Sequence, residues 1–234
     1  MSDNRNVIIA CDFSSAQACM DFLSRFERER PWVKVGMELY YAEGPAIVRK
    51  LKGRGHPVFL DLKLHDIPNT VKKAMRVLSD LGADMVNLHA AGTRAMMEAA
   101  REGLGDGAKL LAVTMLTSTD QLRMEQEIMI SAPMDDVVLH YAKNAAEAGL
   151  DGVVCSPLEA GKVHSVCGKS FLAVTPGVRF ADSSVGDQIR VTTPEAARAL
   201  GSDYIVVGRP ITQAADPYAA WCRCINEFCR AEQD

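Results

Sequence analysis

Pro57-Val58-Phe59-Leu60-Asp61-Leu62-Lys63-Leu64-His65-Asp66-Ile67-Pro68-Asn69-Thr70 reads as a strand running directly into a helix. Residues 57–64 form an apolar run with polar residues at its far end. Pro68 and Asn69 then mark a helix start, and Val71, Met75 and Leu78 follow at helical spacing up to Gly82, where a helix should stop. Working outward, seven more strand candidates occupy residues 7–13, 32–39, 85–90, 109–116, 152–156, 171–178 and 204–210. Helical patterns lie between them, such as Val138, Tyr141, Ala145 and Ala148. Thr193-Pro194-Glu195 opens the seventh helix, and Gly149 and Gly201 close others. Eight units in 234 residues leave about 29 residues each, close to the minimum for a strand, a helix and two short loops. The expected fold is α/β, a closed (β/α)8 TIM barrel forming a single domain over residues 1–234. A doubly wound sheet more often uses five or six strands and would leave helices unaccounted for. No linker, repeat or low-complexity stretch interrupts the pattern. Two longer connections, 117–133 and 179–192, leave the C-terminal ends of strands and are candidate lids.

Composition excludes several classes. Apolar residues make up 48% and charged residues 24%, values that rule against disordered, collagen-like and disulfide-scaffold chains. Lys and Arg total 26 against 30 Asp and Glu, a formal charge of -4, so a nucleic-acid partner is not expected. The seven cysteines are odd in number, mostly sit in apolar stretches and include no Cys-x-x-Cys pair, which reads as reduced thiols of a cytosolic protein. The apolar run from Val7 to Cys11 is too short for a signal peptide. No later run reaches the roughly 18 residues of a membrane helix, so neither secretion nor a membrane partner is expected.

The densest chemical signal is the strand end around Asp61 and Lys63. Side chains alternate along a strand, so these two point to one face and Leu62 and Leu64 to the other. In a barrel the leucines meet the helices, leaving a carboxylate and an ammonium inside, near the rim where barrel chemistry occurs. A purely structural buried ion pair is the competing explanation, but such pairs stabilise weakly, which favours a functional reason. Asp12 and Lys34 also end strands with polar groups facing the same interior. Thr175-Pro176-Gly177-Val178-Arg179 and Val206-Val207-Gly208-Arg209-Pro210 close the seventh and eighth strands, where barrels often hold phosphate. Glycine admits an anion close to backbone amides, and Arg grips phosphate oxygens through two parallel bonds.

Other features carry bland readings. Gly168-Lys169-Ser170 resembles the tail of a P-loop, but Val163 stands where an earlier glycine is required, and the tripeptide precedes a strand. The five histidines show no metal-ligand spacing, so no metal site such as zinc is expected. Cys222 and Cys224 fall on different faces of the last helix. Met96, Met97, Met124, Met129 and Met134 are expected to fill packing gaps, and residues 103–107 to form a turn.

The combined pattern resembles the orotidine 5'-monophosphate decarboxylase family from Val7 to about Pro217. The carrying segments are Asp12, Lys34-Val35-Gly36, the Asp61 to Thr70 run, Asn87-Leu88-His89-Ala90, Leu116-Thr117-Ser118, Pro176-Gly177-Val178-Arg179, Gly186-Asp187-Gln188 and Val207-Gly208-Arg209-Pro210. The resemblance implies cofactor-free conversion of orotidine 5'-monophosphate to UMP and CO2, completing UMP biosynthesis. Lys34, Asp61, Lys63 and Asp66 would form an alternating charged network, with Asp66 reaching into a neighbouring subunit's site in an obligate homodimer. Alternation lets each ammonium favour ionisation of its carboxylate neighbours, and the reverse. Asp61 would press on the substrate carboxylate while Lys63 stabilises charge at C6 and protonates it. Asp12, Lys34 and Thr70 would hold the ribose, and Thr117 and Ser118 the pyrimidine edge. Arg209, the amide of Gly208, Gln188 and Arg179 would hold the phosphate. His65 is expected to be structural and His89 supporting. Val178 and Phe180 depart from some relatives beside the phosphate loop.

Two other readings compete. The magnesium-dependent 3-keto-L-gulonate 6-phosphate decarboxylases share the barrel and an Asp-x-Lys-x-x-Asp strand. The Ile67-Pro68-Asn69-Thr70 continuation and Gln188 speak against them. A non-catalytic barrel that binds a sugar phosphate would leave four inward charges without a task.

Overall fold

Alternation along each strand builds two cores at once. The computed structural model describes residues 6–26, 29–182 and 192–229. Among these, Ile8, Ala10, Trp32, Phe59, Met85, Leu111, Val174 and Val206 point inward and pack as one apolar plug. Their neighbours in sequence, including Val7, Ile9, Val33, Val35, Leu60, Val86 and Leu88, point outward into a larger layer shared with the helices. A strand buried on both faces is what a parallel barrel requires, and it explains the near-continuous apolar runs.

The elements are β1 (Val7–Ala10), α1 (Ala16–Leu23), β2 (Trp32–Val35), α2 (Met37–Glu43), α3 (Pro45–Gly53), β3 (Val58–Leu64), α4 (Pro68–Asp80), β4 (Met85–His89), α5 (Thr93–Leu104), β5 (Lys109–Val113), α6 (Gln121–Glu127), α7 (Met134–Glu147), β6 (Gly152–Val154), α8 (Pro157–Cys167), β7 (Leu172–Thr175), α9 (Pro194–Ala199), β8 (Tyr204–Val207), α10 (Arg209–Thr212) and α11 (Pro217–Cys229). The strands pair in chain order and close through parallel β1–β8 contacts, Val7 opposite Ile205 and Ile9 opposite Val207. The expected (β/α)8 barrel is the observed fold. An aromatic chain running Phe13, Phe22, Phe26 and Trp221, with centroids 5.2 to 5.7 Å apart, ties α1 to α11 across that closure.

Several boundaries differ from the sequence expectation. Most expected strands are too long at their C-terminal ends: the first stops at Ala10, the second at Val35 and the eighth at Val207. There the chain leaves the ladder for helices, with Gly36 preceding α2 and Arg209 and Pro210 opening α10. The 117–133 connection is not bare loop but contains α6, capped by the Asp120 carboxylate. Most of the 179–192 connection, Gln188 included, lies outside the described residues. Met129 is 83% exposed and fills no core gap, whereas Met124 and Met134 do pack with Met115, Val137 and Val138. Gly103 is not in a turn; it belongs to α5, where an added Cβ would meet the Lys72 carbonyl oxygen at 2.1 Å, so α4 and α5 touch backbone to backbone. All seven cysteines are free. Among the described residues no helix is long and apolar enough to cross a membrane.

The N-terminal face carries a device that the sequence reading overlooked. Gly82-Ala83-Asp84, Gly149-Leu150-Asp151 and Gly201-Ser202-Asp203 enter β4, β6 and β8, each glycine at positive φ of 74° to 99°. In each, the aspartate grips the first or second residue of the preceding strand at two points. Asp203 donates its N–H to the Ala173 carbonyl at 2.9 Å and accepts the Ala173 N–H at 2.7 Å. Asp84 does the same to Val58, and Asp151 to Leu110. A basic side chain backs every carboxylate: Lys52 at 2.6 Å from Asp84, Arg101 against Asp151, and His164 at 3.0 Å from Asp203. These strand-initial N–H groups would otherwise lack acceptors. Replacing Asp151 with Ala is therefore expected to destabilise the protein by about 1–3 kcal/mol in urea unfolding. Asp151→Asn, which keeps an acceptor oxygen, should lose less, and per-molecule activity should be unchanged in both because the clamp lies at the opposite end from the charged strand ends.

Candidate functional site

The inward positions that form the apolar plug turn polar one step nearer the C-terminal rim. Ala10 is followed inward by Asp12, Trp32 by Lys34, Phe59 by Asp61 and Lys63, and Met85 by Asn87. Above the plug opens a cavity of about 550 Å³. Asp12, Lys34, Asp61 and Lys63 line it, as do Arg179, Gly208, Arg209 and Gln213, with Thr117 and Ser118 from the β5–α6 connection.

The four charges alternate along a chain of contacts. Lys34 Nζ donates to Asp12 Oδ1 at 3.0 Å and lies 3.3 Å from Asp61 Oδ2. Lys63 Nζ donates to the other Asp61 oxygen at 2.6 Å. Asp61 is 8% exposed and Asn87 1%. Burial pushes the Asp61 carboxyl upward, but the ammonium groups of Lys34 and Lys63 and the hydrogen bonds from Lys63 and Asn87 together hold it below the ordinary aspartate value. Burial likewise opposes the charge on Lys34, and the Asp61 and Asp12 carboxylates outweigh it, raising the ammonium above the ordinary lysine value. Gly36 fits tightly against this pair: an added Cβ would lie 3.0 Å from Asp12 Oδ1 and 3.1 Å from Lys34 Nζ.

Residues expected from sequence fall into three groups. Asp12, Lys34, Asp61, Lys63, Thr117, Ser118, Arg179, Gly208 and Arg209 converge on the cavity. Arg179 is buried and donates its N–H to the Thr192 carbonyl at 2.9 Å, while Phe180 packs under the Arg223 guanidinium at 4.2 Å, so the departures at Val178 and Phe180 are accommodated inside the structure. Asp66 and Thr70 are not brought to the cavity by their own chain. Both are exposed; Asp66 Oδ1 accepts the Ile67 N–H at 2.6 Å beside an open depression formed with His65, Pro68, Gly92 and Thr93. Gln188 lies outside the described residues. His89 stacks on His65 with centroids 5.7 Å apart, and burial, then His65 and Lys63, lower its pKa. Gln213 was missed, as was the buried Asn87, although the latter's inward parity in an otherwise apolar strand was a legible signal.

The pH dependence of the network follows from the signs of its shifts. The depressed Asp61 contributes stability above its unfolded value near 3.8, lost as pH falls through its folded value. The raised Lys34 contributes below its unfolded value near 10.5, lost as pH rises through its folded value. Lys34→Met leaves Asp61 buried with one ammonium instead of two, an expected cost of about 3 kcal/mol at pH 7. Because Asp61 in that variant takes up a proton more readily, the stability gap to the unmodified protein should narrow as pH falls toward 4. Urea midpoints measured across that range would check this; a constant gap would refute the electrostatic account.

Proteins of known kind share this arrangement of sequence and fold. The orotidine 5'-phosphate decarboxylase of Bacillus caldolyticus is 58% identical over 234 residues, covering 97% of this chain and 96% of that protein. The orotidine 5'-phosphate decarboxylase of Streptococcus pneumoniae (strain ATCC 700669 / Spain 23F-1) is 60% identical over 222 residues, covering 94% and 95%. The crystal structure of orotidine 5'-phosphate decarboxylase from Lactobacillus acidophilus superposes with a TM-score of 0.86 at 43% identity, covering 96% of this chain and 99% of that one. With residues 5–224 also matching the family described as orotidine 5'-phosphate decarboxylase / HUMPS, the chain belongs to that family.

Proposed function

We infer that this chain is a carboxy-lyase that converts orotidine 5'-monophosphate to UMP and CO2, the decarboxylation that completes pyrimidine nucleotide synthesis. The observation that carries this reading is the Asp61–Lys63 contact at 2.6 Å inside a cavity that Arg179 and Arg209 also line. A substrate with phosphate at one end and carboxylate at the other spans these two groups of charges.

The chemistry follows from the order of charges. Phosphate binds Arg179, Arg209, the Gly208 amide and Gln188; the ribose hydroxyls bind Asp12, Lys34 and Thr70; Thr117 and Ser118 meet the pyrimidine edge. The substrate carboxylate then sits against Asp61, a carboxylate that its two lysines keep ionised. The bond from C6 to the carboxylate breaks, CO2 departs, and the electron pair stays on C6. The Lys63 ammonium stabilises that developing charge and transfers a proton to C6, regaining one from solvent afterwards. Binding energy from the remote phosphate offsets the repulsion at the reacting carbon. No metal or other cofactor enters this scheme.

In this reading Asp66 and Thr70 act in the cavity of a second copy, forming a homodimer with shared sites. Their exposure, and that of the neighbouring Ile67 at 67%, support the assignment. A single (β/α)8 domain over residues 1–234 does the work, and the seven free cysteines support a cytosolic setting.

Loss of orotidine 5'-monophosphate absorbance should proceed unchanged in excess chelator; inactivity there, with turnover of a keto sugar phosphate restored by magnesium, would move the chain to the metal-dependent decarboxylases. Lys63→Ala should fold normally yet lose at least about 10²-fold in kcat. Mixed Lys63→Ala and Asp66→Asn subunits should recover about a quarter of full activity, since half the dimers are hybrids with one intact site of two. No recovery after demonstrated subunit exchange would refute the shared site.

A further inference from the structure

Asn87 occupies the middle of β4, between Val86 and Leu88, and is 1% exposed. It is absent from the residues that line the cavity. Its side chain nevertheless engages both members of the reacting pair. The β3–β4 register explains how. Leu60 pairs with Val86 and Leu64 with Leu88, so three residues of β3, Asp61 to Lys63, face a single residue of β4. This bulge takes Lys63 into the left-handed region at φ 51°, a conformation that a non-glycine residue holds only where its surroundings impose it. The Lys63 N–H, displaced from the ladder, donates to Asn87 Oδ1 at 2.8 Å. Asn87 Nδ2 donates to Asp61 Oδ1 at 2.7 Å, the same oxygen that accepts Lys63 Nζ at 2.6 Å.

We propose that Asn87 is a positioning residue for the decarboxylation: its amide fixes the Lys63 backbone and the Asp61 carboxylate together, setting where the proton donor stands. This rests on the reading of Lys63 as the donor to C6. An amide suits the position because one group must donate to a carboxylate while the adjacent oxygen accepts from a backbone N–H. Leucine offers neither. A carboxylic acid offers both only while protonated, and once ionised it repels Asp61 at contact distance. The side-chain hydrogen bonds of Asn87 go to Lys63 and Asp61, so its replacement is expected to disturb the reacting pair more than the grip on ribose and phosphate.

The test is steady-state turnover of orotidine 5'-monophosphate by Asn87→Leu and Asn87→Asp, with folding followed by circular dichroism. Asn87→Leu should lose roughly 10- to 100-fold in kcat, the scale of an ångström misplacement of a reacting group, with KM within about threefold of the unmodified protein. Asn87→Asp should regain kcat as pH falls, because the introduced acid donates to Asp61 only when protonated; this adds a limb to the pH profile that the asparagine protein lacks. A folded Asn87→Leu with unimpaired kcat, or a loss confined to KM, overturns the proposal. So does an Asn87→Asp profile parallel to that of the unmodified protein, and this second variant decides alone if Asn87→Leu does not fold. Lys63→Ala separates the two levels. Full activity in that variant removes the proton-donor reading itself, whereas an inactive Lys63→Ala beside an unimpaired Asn87→Leu removes only the role of Asn87.

Discussion

A carboxylate held inside an apolar barrel is the constraint from which the rest of this site follows. Taking an ion out of water costs several kcal/mol unless partners are arranged around it, and Asp61 is 8% exposed. Its oxygens meet two ammonium groups and an amide, at 2.6, 2.7 and 3.3 Å. Each partner comes from a different place on the barrel wall: Lys63 from the same strand, Lys34 from β2 and Asn87 from β4. None could be supplied without the strand alternation that puts these positions on the inner face. The requirement spreads further, since Lys34 charged in the same interior needs Asp12 from the end of β1, and the pair needs Gly36 to leave room.

The two ends of the barrel resolve this demand differently. At the N-terminal face the Gly-x-Asp turns saturate strand-initial backbone groups and pin β3 to β4, β5 to β6 and β7 to β8. At the C-terminal face the ladder is interrupted, strands stop early, and β3 carries a residue at positive φ. Irregular backbone of this kind persists only where the surrounding structure over-determines it. The clamps at one end and close contacts such as that of Gly103 with Lys72 provide that rigidity. The β5–α6 connection can then bring Thr117 and Ser118 to the cavity without holding the barrel together.

Much of this architecture was legible from residue order alone, for identifiable reasons. Eight apolar runs separated by helical spacing, with Pro68, Thr193 and the glycines at 82, 149 and 201 marking helix ends, depend on short-range physics and therefore survive into the fold. Asp61 and Lys63 were legible as an inward pair for the same reason. Long-range consequences were not. The extra residues of β3 opposite Asn87 depend on pairing with β4, so the local pattern gave a regular strand with Lys63 in ordinary conformation. Gly103 looked like part of a glycine-rich turn because its need for a bare backbone arises from Lys72 on another helix. Met129 looked like core because methionine usually is, yet it follows α6 at positive φ with its side chain in solvent. The recurring aspartates escaped notice because three residues spaced some 50 to 70 apart look unrelated until the barrel aligns them.

Asp66 shows why the site, on our reading, is incomplete in one chain. Strand β3 offers inward positions at Asp61 and Lys63, and then its ladder ends at Leu64. Three residues beyond Lys63 the chain is already turning toward Pro68 and the first turn of α4, with Asp66 bonded to the Ile67 amide and directed outside the cavity. The same backbone cannot both leave the barrel to start a helix and return a carboxylate to its interior. On our reading the second carboxylate against Lys63 is supplied from outside the chain. If a copy of the same surface brings it, two-fold symmetry makes the exchange reciprocal, because the loop that donates Asp66 lies beside the strand end that receives one. On that reading, pairing of two chains would follow from where β3 ends rather than be an addition to a finished active site.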